Sequence, residues 1–183
     1  MRLVILGPPA SGKGTQAMRV ARRTGLPHLS TGAMLRDEVE RGSETGRAVE
    51  ATLARGDLVD DDTVYAVLAR LLDEAPDGWV LDGFPRTVGQ AGSLDARPDG
   101  SVDAVIALDV SQPELARRVR GRARREGRDD DSDETLGRRL AVYEENTRPL
   151  LAHYGQLGVL KRVDGSRSPD RVTQSILRAL DRA

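Results

Sequence analysis

The chain has 183 residues, 38% of them hydrophobic and 31% charged, with a formal net charge of −1. That is the length of one compact domain with enough apolar material for a core, and it excludes both a basic nucleic-acid tail and an acidic disordered chain. There is no cysteine, which excludes a disulfide scaffold and Cys-ligated zinc or iron–sulfur centres.

Residues 2–6 read as the first strand. Its apolar run, Leu3-Val4-Ile5-Leu6, is far short of the ~20 residues that a membrane span needs. A signal peptide's apolar stretch and small-residue cleavage site are also missing. A soluble cytoplasmic protein is expected, with neither a membrane nor a nucleic acid as partner.

The strand runs into Gly7-Pro8-Pro9-Ala10-Ser11-Gly12-Lys13-Gly14-Thr15, and a helical pattern follows over 13–23. This is G-x-x-x-x-G-K with Gly14 inserted before Thr15. Glycines let successive backbone N–H groups converge on phosphate oxygens. The helix start adds free donors and a positive dipole end. Lys13 supplies a point charge for the β and γ phosphates. Of 28 basic residues only Lys13 and Lys161 are lysine, so a compact ammonium looks specifically required at position 13. Because Gly14 takes the place of the usual Mg²⁺-ligating hydroxyl, direct metal ligation by Thr15 is not expected.

Strand candidates recur at 28–29, 79–81, 104–108 and 159–163. Their apolar character on both sides fits burial in a parallel sheet. Between them lie helical patterns. Residues 61–74 place Val64, Val67, Leu68, Leu71 and Leu72 at helical spacing. Ser111-Gln112-Pro113-Glu114 opens a helix through about residue 120, and Ser168-Pro169-Asp170 opens a terminal one. The alternation predicts a doubly wound α/β fold with a five-stranded parallel sheet and right-handed crossovers. Two stretches break the rhythm. Residues 30–59 read as two polar helices without a strand between them. Residues 122–128 carry five charges and almost no apolar anchor. Asp82 ends a buried strand at the sheet's carboxyl edge, where α/β ligands bind, and a carboxylate there can orient Mg²⁺-bound water. Arg86 follows Pro85, which limits the freedom of the chain that positions it. His28, on a strand, and His153, on a helix, read as structural.

Five segments together resemble the adenylate kinase family of nucleoside monophosphate kinases. They are Gly7 to Gln16, Leu29-Ser30-Thr31-Gly32-Ala33-Met34-Leu35-Arg36, Gly56-Asp57-Leu58-Val59, Leu81-Asp82-Gly83-Phe84-Pro85-Arg86-Thr87, and the set Arg122, Arg128 and Arg139. The resemblance spans essentially the whole chain. It implies a single P-loop kinase domain of three layers. The core would be 1–29, 60–121 and 129–183, with a monophosphate-binding insertion at 30–59 and a short lid at 122–128. It implies reversible transfer of the γ-phosphoryl group of MgATP to AMP, giving two ADP.

The same resemblance assigns ATP to Ala10, Ser11, Gly12, Lys13, Gly14, Thr15, Arg122 and Arg167. It assigns AMP to Thr31, Arg36, Asp57, Leu58, Val59, Gly83, Phe84, Pro85, Arg86, Gln90, Arg128 and Arg139. Arg36 would meet the AMP phosphate and Gln90 the adenine edge. Lys13, Arg86, Arg122, Arg128 and Arg139 would be the catalytic cations. Asp82 would reach Mg²⁺ through water. A monomer without zinc is expected, since the short lid lacks the length and the cysteines of zinc-binding lids. The chain departs from the family pattern at Ala10, where glycine is usual, at Ala33 for a common Asp and at Arg167 for a common Gly. Gly89 and Gly92 fall within an expected helix, at about 1 kcal/mol each.

The expected chemistry needs no base from the protein. A nucleoside monophosphate has a second pKa near ~6, so its oxygen is already ionised at neutral pH. Positioning and electrostatic stabilisation are left for the protein to supply. Two alternatives stay open on sequence alone: a UMP/CMP-type kinase, and a nucleotide-binding regulator without turnover.

Overall fold

A computed structural model describes the backbone of residues 1–97, 101–126 and 133–181, and the side chains of these except at 120–126, 133 and 134. Five parallel strands form one sheet: β1 (Arg2–Leu6), β2 (His28–Ser30), β3 (Trp79–Asp82), β4 (Ala104–Asp109) and β5 (Leu160–Asp164), in the order β2-β3-β1-β4-β5. β1 is central. Ile5 pairs with Asp82 on one side and Ile106 on the other. The chain is therefore an α/β fold, as expected, with each strand within a residue or two of its predicted position.

Alternation along the strands makes two cores. Val4, Leu6, Leu81 and Val105 pack to one face, and Leu3, Ile5, Val80 and Ile106 to the other. The second face is covered by α1 (Lys13–Thr24) and the terminal helix α9 (Pro169–Leu180). A buried polar tie joins these helices. Thr173 Oγ1 donates to Gln16 Oε1 at 2.7 Å, and Gln16 Nε2 donates to the Pro169 carbonyl at 3.0 Å.

The first face carries the helical insertion. α2 (Thr31–Glu40) and α3 (Glu44–Arg55) form a hairpin with no intervening strand, capped by Ser30 and Ser43. Gly46 lets them touch: a Cβ there would stand 2.1 Å from the Glu38 carbonyl oxygen. Leu35, Val49 and Val59 sink into the same core as Val4 and Leu81. α4 (Asp61–Asp73), capped by Asp60, and α5 (Val88–Asp95), capped by Thr87, follow.

α6 (Gln112–Glu126) runs six residues past its expected end near 120. Arg and Ala are good helix formers and extend the helix without an apolar stripe. Sequence pattern placed His153 on a helix but left the surrounding elements undefined. There the chain forms α7 (Asp133–Val142), a π-helical turn over Tyr143–Thr147, and α8 (Pro149–Gln156). No helix among the described residues is long and apolar enough to cross a membrane.

Candidate active site

The carboxyl ends of β1 and β3 lie side by side, so the segments leaving them share one opening. It is a cleft of about 850 Å³. Between β1 and α1 the phosphate loop bends through two left-handed residues, Ala10 at φ 64° and Gly12 at φ 89°. Gly12 is the N-cap of α1 and makes no side-chain cap bond. The first-turn N–H groups are thus offered to a ligand, which is how helix starts hold phosphates. Lys13 opens α1 and lines the cleft, as do Ala10, Gly12, Gly14 and Thr15. Ser11 does not line it. It is 2% exposed, and its hydroxyl has no hydrogen-bond partner among the described residues.

Asp82 closes the loop's far side. A Cβ at Gly14 would stand 3.1 Å from Asp82 Oδ2, so a side chain after Lys13 would crowd this carboxylate. Asp82 is 9% exposed, and Oδ1 has no hydrogen-bond partner among the described residues. Oδ2 lies 3.5 Å from Ser30 Oγ and 3.8 Å from His28 Nε2. Burial pushes the carboxyl up, but His28, Lys13 and Arg86 beside it more than offset this, so it sits below its ordinary value. A buried, ionised carboxylate with an open lone pair beside a phosphate loop suits the hydration shell of a hard cation.

The acceptor side is built on β3. After Asp82 the chain turns through Gly83 (φ 85°) and a cis Phe84–Pro85 bond to Arg86. Arg86 Nε donates to the Gly83 carbonyl at 2.8 Å, and Thr147 Oγ1 donates to the Arg86 carbonyl at 2.9 Å. Thr31, 3% exposed, donates its hydroxyl to that same Gly83 carbonyl at 2.9 Å. Gly32 borders the guanidiniums: a Cβ there would meet Arg36 Nη1 at 3.4 Å and Arg86 Nη2 at 3.9 Å. Burial lowers the Arg86 pKa; Asp82 raises it, and Arg139 and Arg36 push it down further. Arg36, Arg86 and Arg139 all line the cleft, and the first two meet beside Gly32.

Asp57, Leu58, Val59, Pro85 and Gln90 also line the cleft. The Phe84 side chain is fully buried and packs 6.5 Å, centroid to centroid, from Tyr65, so any contact from it is through its backbone. Arg167 is exposed, lies outside the lining, and pairs with Asp164 at 3.0 Å. Arg128 and the Arg122 side chain lie outside the described residues.

Several residues at the site are not among those expected from the sequence. Arg118 lines the cleft and braces the loop. Its Nη1 donates to the Ser11 carbonyl at 2.9 Å, its Nη2 to the Gly165 carbonyl at 2.8 Å, and its Nε to Glu114 at 2.7 Å. Arg117 and Arg118 hold the Glu114 carboxyl down at about 2. Arg118 sits in an Arg-rich run where no position stands out; the i, i+4 spacing from Glu114 is the available signal. Arg138 clasps Asp57 at 2.7 Å. That bond, with a further one from Arg55, lowers the Asp57 pKa. Thr147 and Tyr143, on the π-helical turn, also line the cleft.

The model of the adenylate kinase family matches residues 5–159. The chain is 47% identical over 187 residues to an adenylate kinase of Xanthomonas euvesicatoria pv. vesicatoria (strain 85-10), covering 100% of both chains. It is 46% identical over 187 residues to that of Xanthomonas campestris pv. campestris (strain 8004), again covering 100% of both. It is 45% identical over 185 residues to that of Stenotrophomonas maltophilia (strain R551-3), covering 98% of this chain and 99% of the relative.

Proposed function

The chain belongs to the adenylate kinase family, and from that membership we propose how its cleft performs the reaction. The enzyme phosphorylates AMP with ATP and yields ADP. ATP places its β and γ phosphates over the N–H groups at the start of α1, with Lys13 alongside. AMP enters below the helical insertion, its phosphate toward Arg36 and Arg86 and its base toward Thr31 and Gln90. Arg139 lies between the two phosphate positions. Arg122, Arg128 and Arg167 keep their expected ATP and AMP roles as part of this proposal.

The lining of one cleft by Lys13, Arg36, Arg86 and Arg139 carries the reading. Two polyanions that repel one another in water are held in line by fixed cations, in a site where such charges act far more strongly than in bulk solvent. The AMP oxygen attacks the γ-phosphorus, the bond to the β–γ bridging oxygen breaks, and ADP leaves on each side. A magnesium ion bound with ATP would supply charge neutralisation on its phosphates. Asp82 would hold its water shell, and Thr15 is not proposed as a ligand. No side chain has to accept a proton.

The enzyme acts as a cytoplasmic monomer, which sedimentation as a single 19.8 kDa species would support. The decisive assay gives the purified protein ADP and Mg²⁺ alone. ATP and AMP should appear in equal amounts, and AMP should outcompete UMP and CMP as acceptor. Tight ADP binding without ATP formation, or faster transfer to UMP or CMP, overturns the reading.

A further inference from the structure

Gln90 is 2% exposed, and its carboxamide is held at both ends. Its Oε1 accepts from the Arg86 backbone N–H at 2.7 Å, and its Nε2 donates to Asp61 Oδ1 at 2.7 Å. The other Asp61 oxygen accepts from Thr87 Oγ1 at 3.0 Å, and the same hydroxyl accepts from the Gln90 backbone N–H at 3.0 Å. A backbone N–H can only donate, and a carboxylate can only accept. The two partners therefore agree on one orientation of the amide, with oxygen toward Arg86 and nitrogen toward Asp61.

We propose that Asp61 is a positioning residue for acceptor choice, fixing which way round the Gln90 carboxamide meets the base. This rests on the reading of Gln90 as the acceptor-base contact. Held as it is, the amide keeps one lone pair on Oε1 and one hydrogen on Nε2 for a ligand. Adenine answers with an exocyclic amino donor beside a ring-nitrogen acceptor. Hypoxanthine reverses that order, with a carbonyl acceptor beside a ring N–H donor. A freely rotating carboxamide would turn over and pair with either. An amide that cannot turn leaves hypoxanthine with donor against donor and acceptor against acceptor, which sites of this kind reject strongly. Asp61 also stands in the first turn of α4, directly after the helical insertion. The end of the insertion and the base contact are thus joined by two hydrogen bonds.

Asp61 is itself exposed, so its replacement should leave the fold intact, which a thermal melt checks. The test measures kcat and KM for AMP and for IMP at saturating MgATP in the wild type, Asp61→Ala, Asp61→Asn, Gln90→Ala and the double variant Asp61→Ala with Gln90→Ala. Asp61→Ala should raise KM for AMP and narrow the AMP-over-IMP preference in kcat/KM by roughly fivefold, with kcat for AMP and KM for ATP nearly unchanged. Asp61→Asn, whose oxygen still accepts from Gln90, should keep most of the preference. Gln90→Ala should narrow it at least as far, and adding Asp61→Ala should narrow it no further. If Gln90→Ala narrows the preference and Asp61→Ala does not, the positioning role is wrong while the base contact stands. If Gln90→Ala leaves the preference unchanged, the base contact is wrong and the positioning role falls with it.

Discussion

Lys13 stands where the phosphate loop becomes helix. Lys13→Ala should reduce kcat by several orders of magnitude while the thermal melt stays near that of the wild type; a loss below about tenfold, or 1.4 kcal/mol, contradicts the phosphate-cradle role. Ala10 tests the same loop differently. Its φ of 64° costs a non-glycine residue about 1–2 kcal/mol, and glycine's greater unfolded-state freedom offsets part of that. Ala10→Gly should raise Tm by about 2 °C, and a lower Tm would show that the loop is not strained there. Lys13 was legible because lysine is so rare in this chain. Asp61 was not: it is the middle of three consecutive aspartates, and its partners lie 26 and 29 residues away. No local pattern records a contact of that kind.

The α2–α3 hairpin hangs on a backbone contact rather than on a large apolar face. A Cβ at position 46 would meet the Glu38 carbonyl at 2.1 Å, and backbone cannot move aside as a side-chain tip can. Gly46→Ala should therefore pry the helices apart, destabilising the protein by about 1–3 kcal/mol and raising KM for AMP. KM for ATP should stay within about twofold, because the ATP phosphates are assigned to the loop after β1 and not to the insertion. An equal rise in both constants would place the damage in the sheet instead. The hairpin was readable as two polar helices because Ser30 and Ser43 cap them in the ordinary way. The π-helical turn was not readable, because tertiary packing selects it: Thr147 reaches the Arg86 carbonyl 61 residues away.

Across the molecule, paired carboxylates set the response to acid. Asp57, Asp60, Asp82 and Asp164 lie below the ordinary 3.8, and Glu114 is held at about 2. Below pH 4 the unfolded chain takes up protons that the folded chain refuses, so stability present above that range is lost as pH falls. Urea midpoints should be level from pH 7 to 5 and fall steeply from 4 to 3; a level midpoint down to 3 would contradict these pairings. Five strands were legible as short apolar runs, though at the edges only Leu29 of β2 and Val163 of β5 are buried; their order was not legible, since an apolar run does not name its neighbour. The shared cleft of Arg36, Arg86 and Arg139 has a last consequence. An anion that settles among them binds the folded chain and not the unfolded one. Nucleotide therefore steadies this molecule as well as reacting in it, and even plain sulfate should make it harder to melt.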